Sequence, residues 1–507
     1  MAKTRKLLDA ANPEERDAAG TPLPVTHGRL MDFPENPIAC MRRQQAEHGN
    51  ISALEQDSQR LIFAFGPEYN QPVLSDAATY HSRFFSIRGP RNSPQRRLTS
   101  GLLSMNGQEH KLHRRMVMGP FQKKTIETYH DAICEFTHEL LDDWAVPKQN
   151  GLSVASDSPA SPDMPNVRDM HTEMTQYMLR VTSGLLFGLD MPEMAYRIGG
   201  MIDRWVDMNH SLGIGAFVSD RAFTEGYDRL LSLAEELETD IRAMIHARRT
   251  SARPGNDVLS LLIRAHEQEG LVNDDELVGH AALLFSAAHL TTAHTMTWTL
   301  FLLAQHPSVM PTVLEEIEAT IRGTAPTQAN IGGMPVFERV LKESMRVLPA
   351  SAYSQRIAAE PTQLGPFHLP RGTPIVFSQF MTHHLPELYA DPETFRPDRW
   401  LTLTPPPYAY IPFGGGSRMC LGGPLAMMTL KTALPMIVKR YRLTVVPGSE
   451  ISGMVVSTML GPTTKIPMSV VPQDGRFEAS AVTGNIHSMM HLHEAPAAGT
   501  ASRRRAA

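Results

Sequence analysis

Apolar residues recur every three to four positions through most of this chain, and that spacing predicts a mainly helical protein. A long helix is expected to begin at the capping residues Asn273 and Asp274 and to run to about Ala304. It should stop at His306, because the residue before a proline is disfavoured in helical geometry. The other clear helical segments cover residues 168–187, 192–209, 225–249, 311–323, 334–348 and 422–441.

Short apolar pieces between turn residues predict a minor β region beside the helices. Residues 61–65 and 73–74 are expected to form a small hairpin, and β-like pieces with many prolines follow Pro349. Residues 1–30 are expected to be a flexible arm and the Ala-rich residues 473–507 a disordered tail. The Ser/Pro-rich segment 146–165 is a predicted surface loop. Residues 31–472 then form a single large domain.

Composition excludes some classes of function. The chain has 507 residues and a formal net charge of -5, which argues against a general nucleic-acid binder. The N-terminal residues contain no apolar run that could serve as a signal peptide or membrane anchor. Three scattered cysteines, Cys40, Cys134 and Cys420, provide neither a disulfide framework nor a CxxC metal site, so we expect a cytoplasmic protein.

The most informative stretch is FGGGSRMCLG, residues 413–422. Its glycines remove the Cβ atoms that would keep the backbone away from a flat cofactor, and they permit positive φ. Backbone N–H groups on such a loop can point at the sulfur of Cys420, and Arg418 suits a nearby anion. Taken by itself, the stretch also fits a flexible turn with a small core cysteine. A phosphate-binding loop is disfavoured, because no Gly-Lys-Ser/Thr follows.

The complete pattern resembles the haem-binding signature of the cytochrome P450 superfamily, F-x-x-G-x-R-x-C-x-G. It matches at Phe413, Gly416, Arg418, Cys420 and Gly422. The resemblance implies the P450 fold, heme b (iron protoporphyrin IX) as cofactor, and Cys420 as the ligand of its iron. It also implies that Phe413, Arg418 and Gly422 belong to the cofactor-binding loop.

A second motif lies on the helix before the β-rich region. Glu343 and Arg346 match the family's E-x-x-R, which alone is common on solvated helices. The segment 395–400, FRPDRW, resembles the family's F-x-P-E-R-F and contains Arg399. The resemblance implies a buried ion-paired triad of Glu343, Arg346 and Arg399 with a structural role.

Candidate haem-propionate contacts lie in three further places. His110 and Arg114 are four residues apart on one helix face, a spacing that lets two donors reach one carboxylate, although a basic surface patch would look the same. The resemblance implies that this pair binds a propionate. It implies the same for Arg356 and His383, which occupy positions similar to other propionate contacts of the family.

The long helix contains AAHLTT at residues 287–292, which resembles the family's distal A/G-G-x-D/E-T-T motif. The resemblance implies a catalytic Thr291 that helps deliver protons during oxygen activation; alone, it fits a helical threonine bonded to its own helix. Leu290 replaces the usual acid and Ala288 the usual glycine. Three routes stay open: relay by His289 or His294, relay by water, or use of peroxide, which needs no relay.

The resemblance implies a monooxygenase that inserts one atom of O2 into an apolar small molecule by hydroxylation or epoxidation. No flavin or Fe–S segment is visible, so electrons are expected from an external donor of the ferredoxin/ferredoxin reductase or flavodoxin type. Gly423 and Pro424 replace a basic residue that is frequent after the cysteine, on a surface that often meets this donor. The alternatives are a peroxide-driven peroxygenase and a non-oxygenating haem protein, either an isomerase or a gas binder.

Overall fold

The fold follows from a computed structural model that describes residues 22–82, 87–146, 166–215, 221–251, 255–269 and 273–492. The predicted loop at 146–165 lies outside these residues except for Val146, and so do most of the predicted N-terminal arm and the last fifteen residues of the predicted tail. No helix in the described ranges is both long and apolar enough to cross a membrane.

Helices make up most of the described chain, as the apolar spacing predicts. The first half contains α1 (Asp32–Glu35), α2 (Pro37–His48), α3 (Pro67–Ser75), α4 (Pro94–Leu98), α5 (Gly107–Val117), α6 (Lys123–Glu127), α7 (His130–Ala145), α8 (Met170–Phe187), α9 (Pro192–Gly215) and α10 (Arg221–Thr250). The second half contains α11 (Val258–Glu269), α12 (Asp274–Gln305), α13 (Met310–Thr320), α14 (Gln328–Ile331), α15 (Pro335–Val347), α16 (Gln379–His383), α17 (Gly423–Arg440) and α18 (Ile486–Met489).

The strands are short and form a minor part of the fold. They are β1 (Val25–His27), β2 (Ile51–Gln56), β3 (Gln59–Ala64), β4 (Tyr80–Ser82), β5 (Val167–Asp169), β6 (Ser354–Ala358), β7 (Thr362–Leu364), β8 (Phe367–Leu369), β9 (Pro374–Phe377), β10 (Tyr441–Val445), β11 (Gly453–Val456), β12 (Met459–Pro462) and β13 (Pro467–Pro472). The largest sheet has the order β1-β2-β3-β9-β6-β4, and β10-β13-β5 form a second sheet. The pairs β7-β8 and β11-β12 are separate antiparallel hairpins.

The predicted hairpin of residues 61–65 with 73–74 is wrong. Strand β3 pairs instead with β2, which precedes it, through a turn at Asp57 and Ser58 where both φ angles are positive. Residues 73–74 lie in helix α3. An apolar run of two residues fits a helix as well as a strand, so periodicity alone could not separate the two.

Both ends of the expected domain differ from the prediction. Strand β1 lies within the expected arm and pairs in parallel with β2. Within the expected tail, residues 473–492 are described, and Ile486 and Met489 are buried against the core. The residues around these two segments are polar or rich in alanine, so composition predicts disorder. The pairing of β1 with β2 and the burial of Ile486 and Met489 order the two segments.

Helix α12 is the central element of the fold. Asn273 caps it, as its sequence predicts, and Glu276 completes a capping box by accepting from the N–H of Asn273. The helix is apolar on nearly all sides and packs along α8, as expected of a core helix. In its middle, however, the side of Leu284, Ala287 and Thr291 remains accessible. This accessible stretch borders the candidate site.

Candidate active site

The loop of residues 413–422 is held in shape by its own backbone. The N–H of Cys420 donates to the carbonyl of Phe413 at 2.8 Å, and the N–H of Gly414 donates to that of Ile411 at 2.9 Å. Gly416 has a φ of 62°, and a Cβ there would overlap the carbonyl oxygen of Leu74 in α3. Glycine at position 416 is therefore required both by the backbone conformation and by the approach of α3.

Cys420 lies three residues before α17, where the first N–H groups of the helix are available to an anion. Burial raises the pKa of the Cys420 thiol, while the N–H groups of Gly422 and Gly423 and the Arg114 guanidinium act in the opposite direction. The cysteine is nevertheless accessible to solvent. A sulfur surrounded by protein on most sides and still reachable lies in a cleft, where a ligand can approach it.

Phe413 and Gly422 flank the sulfur. Phe413 is half-buried, and its ring lies 3.4 Å from the position of a Cβ on Gly423, so the ring covers the start of α17. Gly422 has an ordinary φ of -81°, and no neighbouring atom would contact a Cβ there within 4 Å in the described residues. The structure thus uses the N–H of Gly422 rather than its conformational freedom.

Four basic side chains from distant parts of the chain form one cluster beside this loop: His110, Arg114, Arg356 and Arg418. Burial, and then the charges of the three arginines, lower the pKa of His110 to about 4. Burial and Arg418 lower the pKa of Arg356 to about 10, and burial and Arg114 lower that of Arg418 to about 10. His110, Arg356 and Arg418 are therefore each disfavoured as cations by at least one neighbouring arginine, whereas burial alone lowers the pKa of Arg114.

No carboxylate of the described part of the chain pairs with this cluster, and the sulfur of Cys420 is the one anionic neighbour, beside Arg114. Arg114 donates to the carbonyl of Met419 at 2.7 Å, and Arg356 to that of Gln355 at 2.8 Å. Arg418 donates to Asn106, but its Nε and Nη1 are buried without a partner among the described residues. Buried unpaired cations are costly. A ligand with carboxylates, such as the two propionates of haem, fits these donors and would offset that cost.

Asn106 is a residue of this site that the sequence does not reveal. Its Oδ1 accepts from Arg418 and from the N–H of Ser82, both at 2.8 Å, and its Nδ2 donates to the carbonyl of Ser82 at 3.1 Å. An asparagine directly before a helix is normally interpreted as an N-cap. Here the side chain makes no capping bond to α5, because it is engaged by Arg418 and Ser82.

His383 does not join the basic cluster, in contrast to the interpretation from the resemblance. Its Nε2 accepts from the N–H of Ile411 at 2.9 Å, and its ring stacks on Tyr410 at 5.3 Å between centroids. Burial, and then Arg346, lower its pKa to about 3. It is a neutral histidine of the core, because the helix that carries it, α16, packs against α15 and α2.

The predicted ion-paired triad is confirmed around Glu343. Its carboxylate accepts from Arg346 at 2.9 and 3.0 Å and from Arg399 at 2.8 Å, and all three side chains are buried. Trp400 Nε1 donates to the same carboxylate at 2.9 Å, a partner that the motif did not indicate. Both arginines also donate to backbone carbonyls of residues 390–394. The triad thus fixes that segment to α15.

Thr291 makes the hydrogen bond that is typical of a helical threonine: its Oγ1 donates to the carbonyl of Ala287 at 2.8 Å. The side chain is half-buried and Ala287 is exposed, so both border the accessible part of α12. Because the hydroxyl hydrogen is used within the helix, the oxygen lone pairs are available to accept a hydrogen bond from a group on this accessible side.

His289 and His294 have other partners than Thr291. His289 Nε2 lies 3.0 Å from the carbonyl of Thr175, and its Nδ1 lies 3.5 Å from the Asp203 carboxylate. It therefore faces α8 and α9, about 160° around the helix from Thr291. The His294 ring packs on Gly461 of β12, and burial lowers its pKa to about 3. These contacts argue against a direct histidine relay.

Comparisons with known proteins agree with this geometry. A family model described as Cytochrome P450 matches residues 20–466. The chain is 28% identical to cyclooctat-9-en-7-ol 5-monooxygenase of Streptomyces melanosporofaciens, over 84% of this chain and 89% of the relative. It is 25% identical to pentalenene oxygenase of Streptomyces avermitilis, over 78% and 82%.

A solved structure has the same fold. Retinoic acid bound cyanobacterial CYP120A1 superposes with a TM-score of 0.73 at 20% identity, over 91% of this chain and all of that chain. The mainly α fold with a minor β region, predicted from the sequence, is thereby confirmed. The chain belongs to the cytochrome P450 family, and it is a haem-dependent monooxygenase that uses O2 and electrons from a redox partner.

Proposed function

We propose that this chain oxygenates a cyclic terpenoid-type hydrocarbon or alcohol, with Cys420 as the thiolate ligand of the haem iron. The observation that carries the proposal is the pairing of an accessible cysteine, held by helix N–H groups, with a basic cluster that has no carboxylate partner in the described residues. The bound group would satisfy both features at once, because haem offers one metal and two carboxylates.

When bound, haem held by the thiolate of Cys420 would supply the reductive activation of O2 and the transfer of one oxygen atom to the substrate. The chain controls the thiolate. N–H groups of Gly422 and Gly423 withdraw charge from the sulfur of Cys420, and the loop that carries it is fixed by Gly416 against α3. Phe413 keeps one side of this loop apolar.

His110, Arg114, Arg356 and Arg418 would hold the two carboxylates. The unpartnered Nε and Nη1 of Arg418 offer donors for one carboxylate, and Arg418 lies close enough to Arg356 for its charge to lower the pKa of Arg356. His110 is neutral at pH 7, since its pKa is about 4, and can donate one ring N–H without adding charge. We do not assign His383 to this group.

Thr291 would hold a proton donor in the cleft. Its hydroxyl donates to the Ala287 carbonyl, so its oxygen accepts from a water or another donor in the site. Leu290 has no proton to transfer, and His289 faces away. Water held by Thr291 is therefore the proposed route, and a peroxide-driven reaction is the alternative that needs no such route.

The proposed substrate class is supported by two observations. The names of two relatives refer to cyclooctat-9-en-7-ol and to pentalenene, which are cyclic and largely apolar molecules. Ser286 and Leu290 of α12 are also partly accessible, but the face of the helix around Thr291 consists of Leu284, Ala287 and Ala288, so Thr291 is the polar residue on that face. An apolar wall with one hydroxyl suits a hydrocarbon that must be positioned by shape.

The proposed electron donor is a ferredoxin with its reductase, or a flavodoxin. Helix α5 exposes Lys111 and Arg115 on either side of Arg114, which bonds to the cysteine loop at Met419. A positive surface beside the loop favours encounter with an acidic protein. The free cysteines Cys40, Cys134 and Cys420 are consistent with a reducing compartment, and we propose the cytoplasm.

The test is the spectrum of the reduced, CO-treated holoprotein. The wild type should show the long-wavelength Soret band of thiolate ligation, Cys420→Ser should lose it, and the matched variant Cys134→Ser should retain it. A band typical of histidine ligation in the wild type would overturn the proposal. Turnover of pentalenene with a surrogate ferredoxin system then tests the proposed substrate class and electron donor, and turnover with hydrogen peroxide shows how far the reaction proceeds without a donor.

A further inference from the structure

The segment of residues 473–492, here called the C-terminal strap, lies beyond the part of the chain that the family model matches, which ends at residue 466. Backbone hydrogen bonds attach the strap to residues 449–451. The N–H of Ile451 donates to the carbonyl of Thr483 at 2.8 Å, and the N–H of Thr483 donates to that of Ser449 at 2.9 Å. Gly484 has a φ of 100°, and a Cβ there would overlap the carbonyl of Ile451.

Asn485 connects the strap to β11 with both ends of its side-chain amide. Its Nδ2 donates to the carbonyl of Gly453 at 2.8 Å, and its Oδ1 accepts from the N–H of the same residue at 2.8 Å. A further bond runs from the N–H of Asn485 to the Oγ of Ser452 at 3.1 Å. Gly453 begins β11, so these bonds fix the base of the β11-β12 hairpin.

The hairpin in turn lies on α12 beside Thr291. Trp298 of α12 donates to the carbonyl of Leu460 at 3.2 Å. A Cβ on Gly461 would overlap the ring of His294, which is three residues, or nearly one turn, after Thr291. The hairpin therefore borders the accessible stretch of α12 at the end where Thr291 lies.

The far end of the strap is anchored separately. Arg42 of α2 donates to the carbonyls of Ser488 and Met489, and the N–H of His491 donates to the carbonyl of Glu393 at 2.9 Å. Met489 is buried, and its end methyl lies 3.2 Å from the position of a Cβ on Gly453. The strap thus holds the hairpin from a fixed point on the body of the protein.

We propose that Asn485 is a positioning residue that sets the place of the β11-β12 hairpin against α12, and with it the shape of the substrate site and the position at which the substrate is oxygenated. This inference rests on the proposed function for its catalytic consequence. The structural part, that Asn485 holds the hairpin, does not depend on what the site binds.

The test compares Asn485→Ala with Asn330→Ala, a matched change in α14, where the Oδ1 of Asn330 accepts from the N–H and from the hydroxyl of Thr327 at 3.0 and 2.8 Å. Loss of two hydrogen bonds should raise amide hydrogen exchange of residues 453–462 by about tenfold in Asn485→Ala only. Binding of clotrimazole, a bulky azole, should weaken by about fivefold, whereas binding of imidazole should not change.

Two further variants keep the test decisive. A chain that ends at Leu492 retains every strap contact described above and should behave as the wild type. If Asn485→Ala does not fold, Asn485→Asp retains the acceptor for the Gly453 N–H, loses the donor, and should show the same changes to a smaller degree.

Unchanged exchange and azole binding in Asn485→Ala would overturn the inference, and so would equal changes in Asn330→Ala. A wild type without the thiolate-type CO spectrum would instead refute the proposed function. The hydrogen-exchange result would then still test whether Asn485 holds the hairpin. With a product-forming substrate such as pentalenene, the ratio of oxygenated products should shift in Asn485→Ala.

Discussion

Arg418 donates to the Oδ1 of Asn106 at 2.8 Å, and this bond joins the cysteine loop to the start of α5. The same helix carries His110 and Arg114, so a single amide aligns two of the sequence segments that form the basic cluster. Substitution of Asn106 should therefore change how tightly the protein retains haem.

Asn106→Asp should weaken haem retention more than Asn106→Ala. The alanine removes one acceptor of Arg418, whereas the aspartate supplies a competing carboxylate to the cation that we assign to a propionate. Haem transfer to apomyoglobin measures the loss rate, which should rise several-fold for alanine and by about tenfold or more for aspartate. Slower loss from the aspartate variant would contradict the assignment of Arg418.

Glu343→Gln should destabilise the protein strongly, because it leaves Arg346 and Arg399 buried without their shared carboxylate. The expected loss is on the order of 3–5 kcal/mol in the free energy of unfolding. Trp400→Phe removes one hydrogen bond to the same group and should cost about 1 kcal/mol. Urea unfolding of the two variants measures both values, and similar losses would show that the ion pairs contribute little.

Thr291→Ala should lower coupling, the fraction of electrons recovered as product, because the acceptor for a water in the cleft is lost. Thr291→Ser should retain most of the wild-type coupling. Thr297→Ala is the matched control, since its Oγ1 makes the same bond to the carbonyl of Ala293 at 2.8 Å but is fully buried. Unchanged coupling in Thr291→Ala, measured by product and peroxide yields, would remove Thr291 from the mechanism.

Buried His383 should make stability depend on pH. Its pKa is lowered to about 3 in the folded protein, against about 6.5 in an unfolded chain. Between these values the unfolded state binds the extra proton, so stability is full above pH 6.5 and falls as the pH is lowered, by at most about 1.4 kcal/mol per pH unit. His383→Gln keeps an acceptor for Ile411 and should lessen the slope between pH 7 and 5. Equal slopes in urea unfolding would contradict this.

The chemistry of the cysteine loop could be predicted because it is local. Phe413, Gly416, Arg418 and Cys420 lie within eight consecutive residues, and their spacing sets which backbone groups surround the sulfur. The Glu343–Arg346 pair is similarly local, since residues three apart meet on one helix face. The long helix was predictable as well, because the signal for each of its ends is local. The capping residue Asn273 directly precedes the helix, and a proline directly follows its C-cap residue, His306.

The parts that could not be predicted depend on contacts between distant segments. Asn106 bonds to Arg418, 312 positions away, and nothing around Asn106 distinguishes it from an N-cap. His383 occupies a plausible position in sequence, yet the packing of α16 turns its ring to Ile411 and Tyr410. Asn485 lies in a segment whose composition predicts disorder, and only its place beside Gly453 gives it a partner.

By itself, the sequence determined the helical architecture and the spacing within the cysteine loop, and its motifs supplied candidates for binding an iron porphyrin, because periodicity and short motifs act over a few residues. The tertiary structure alone decided which cations share one cluster, which way His289 and His383 face, and that the C-terminal strap holds the hairpin beside Thr291. Such choices arise from packing, where the burial of one side chain is set by residues hundreds of positions away.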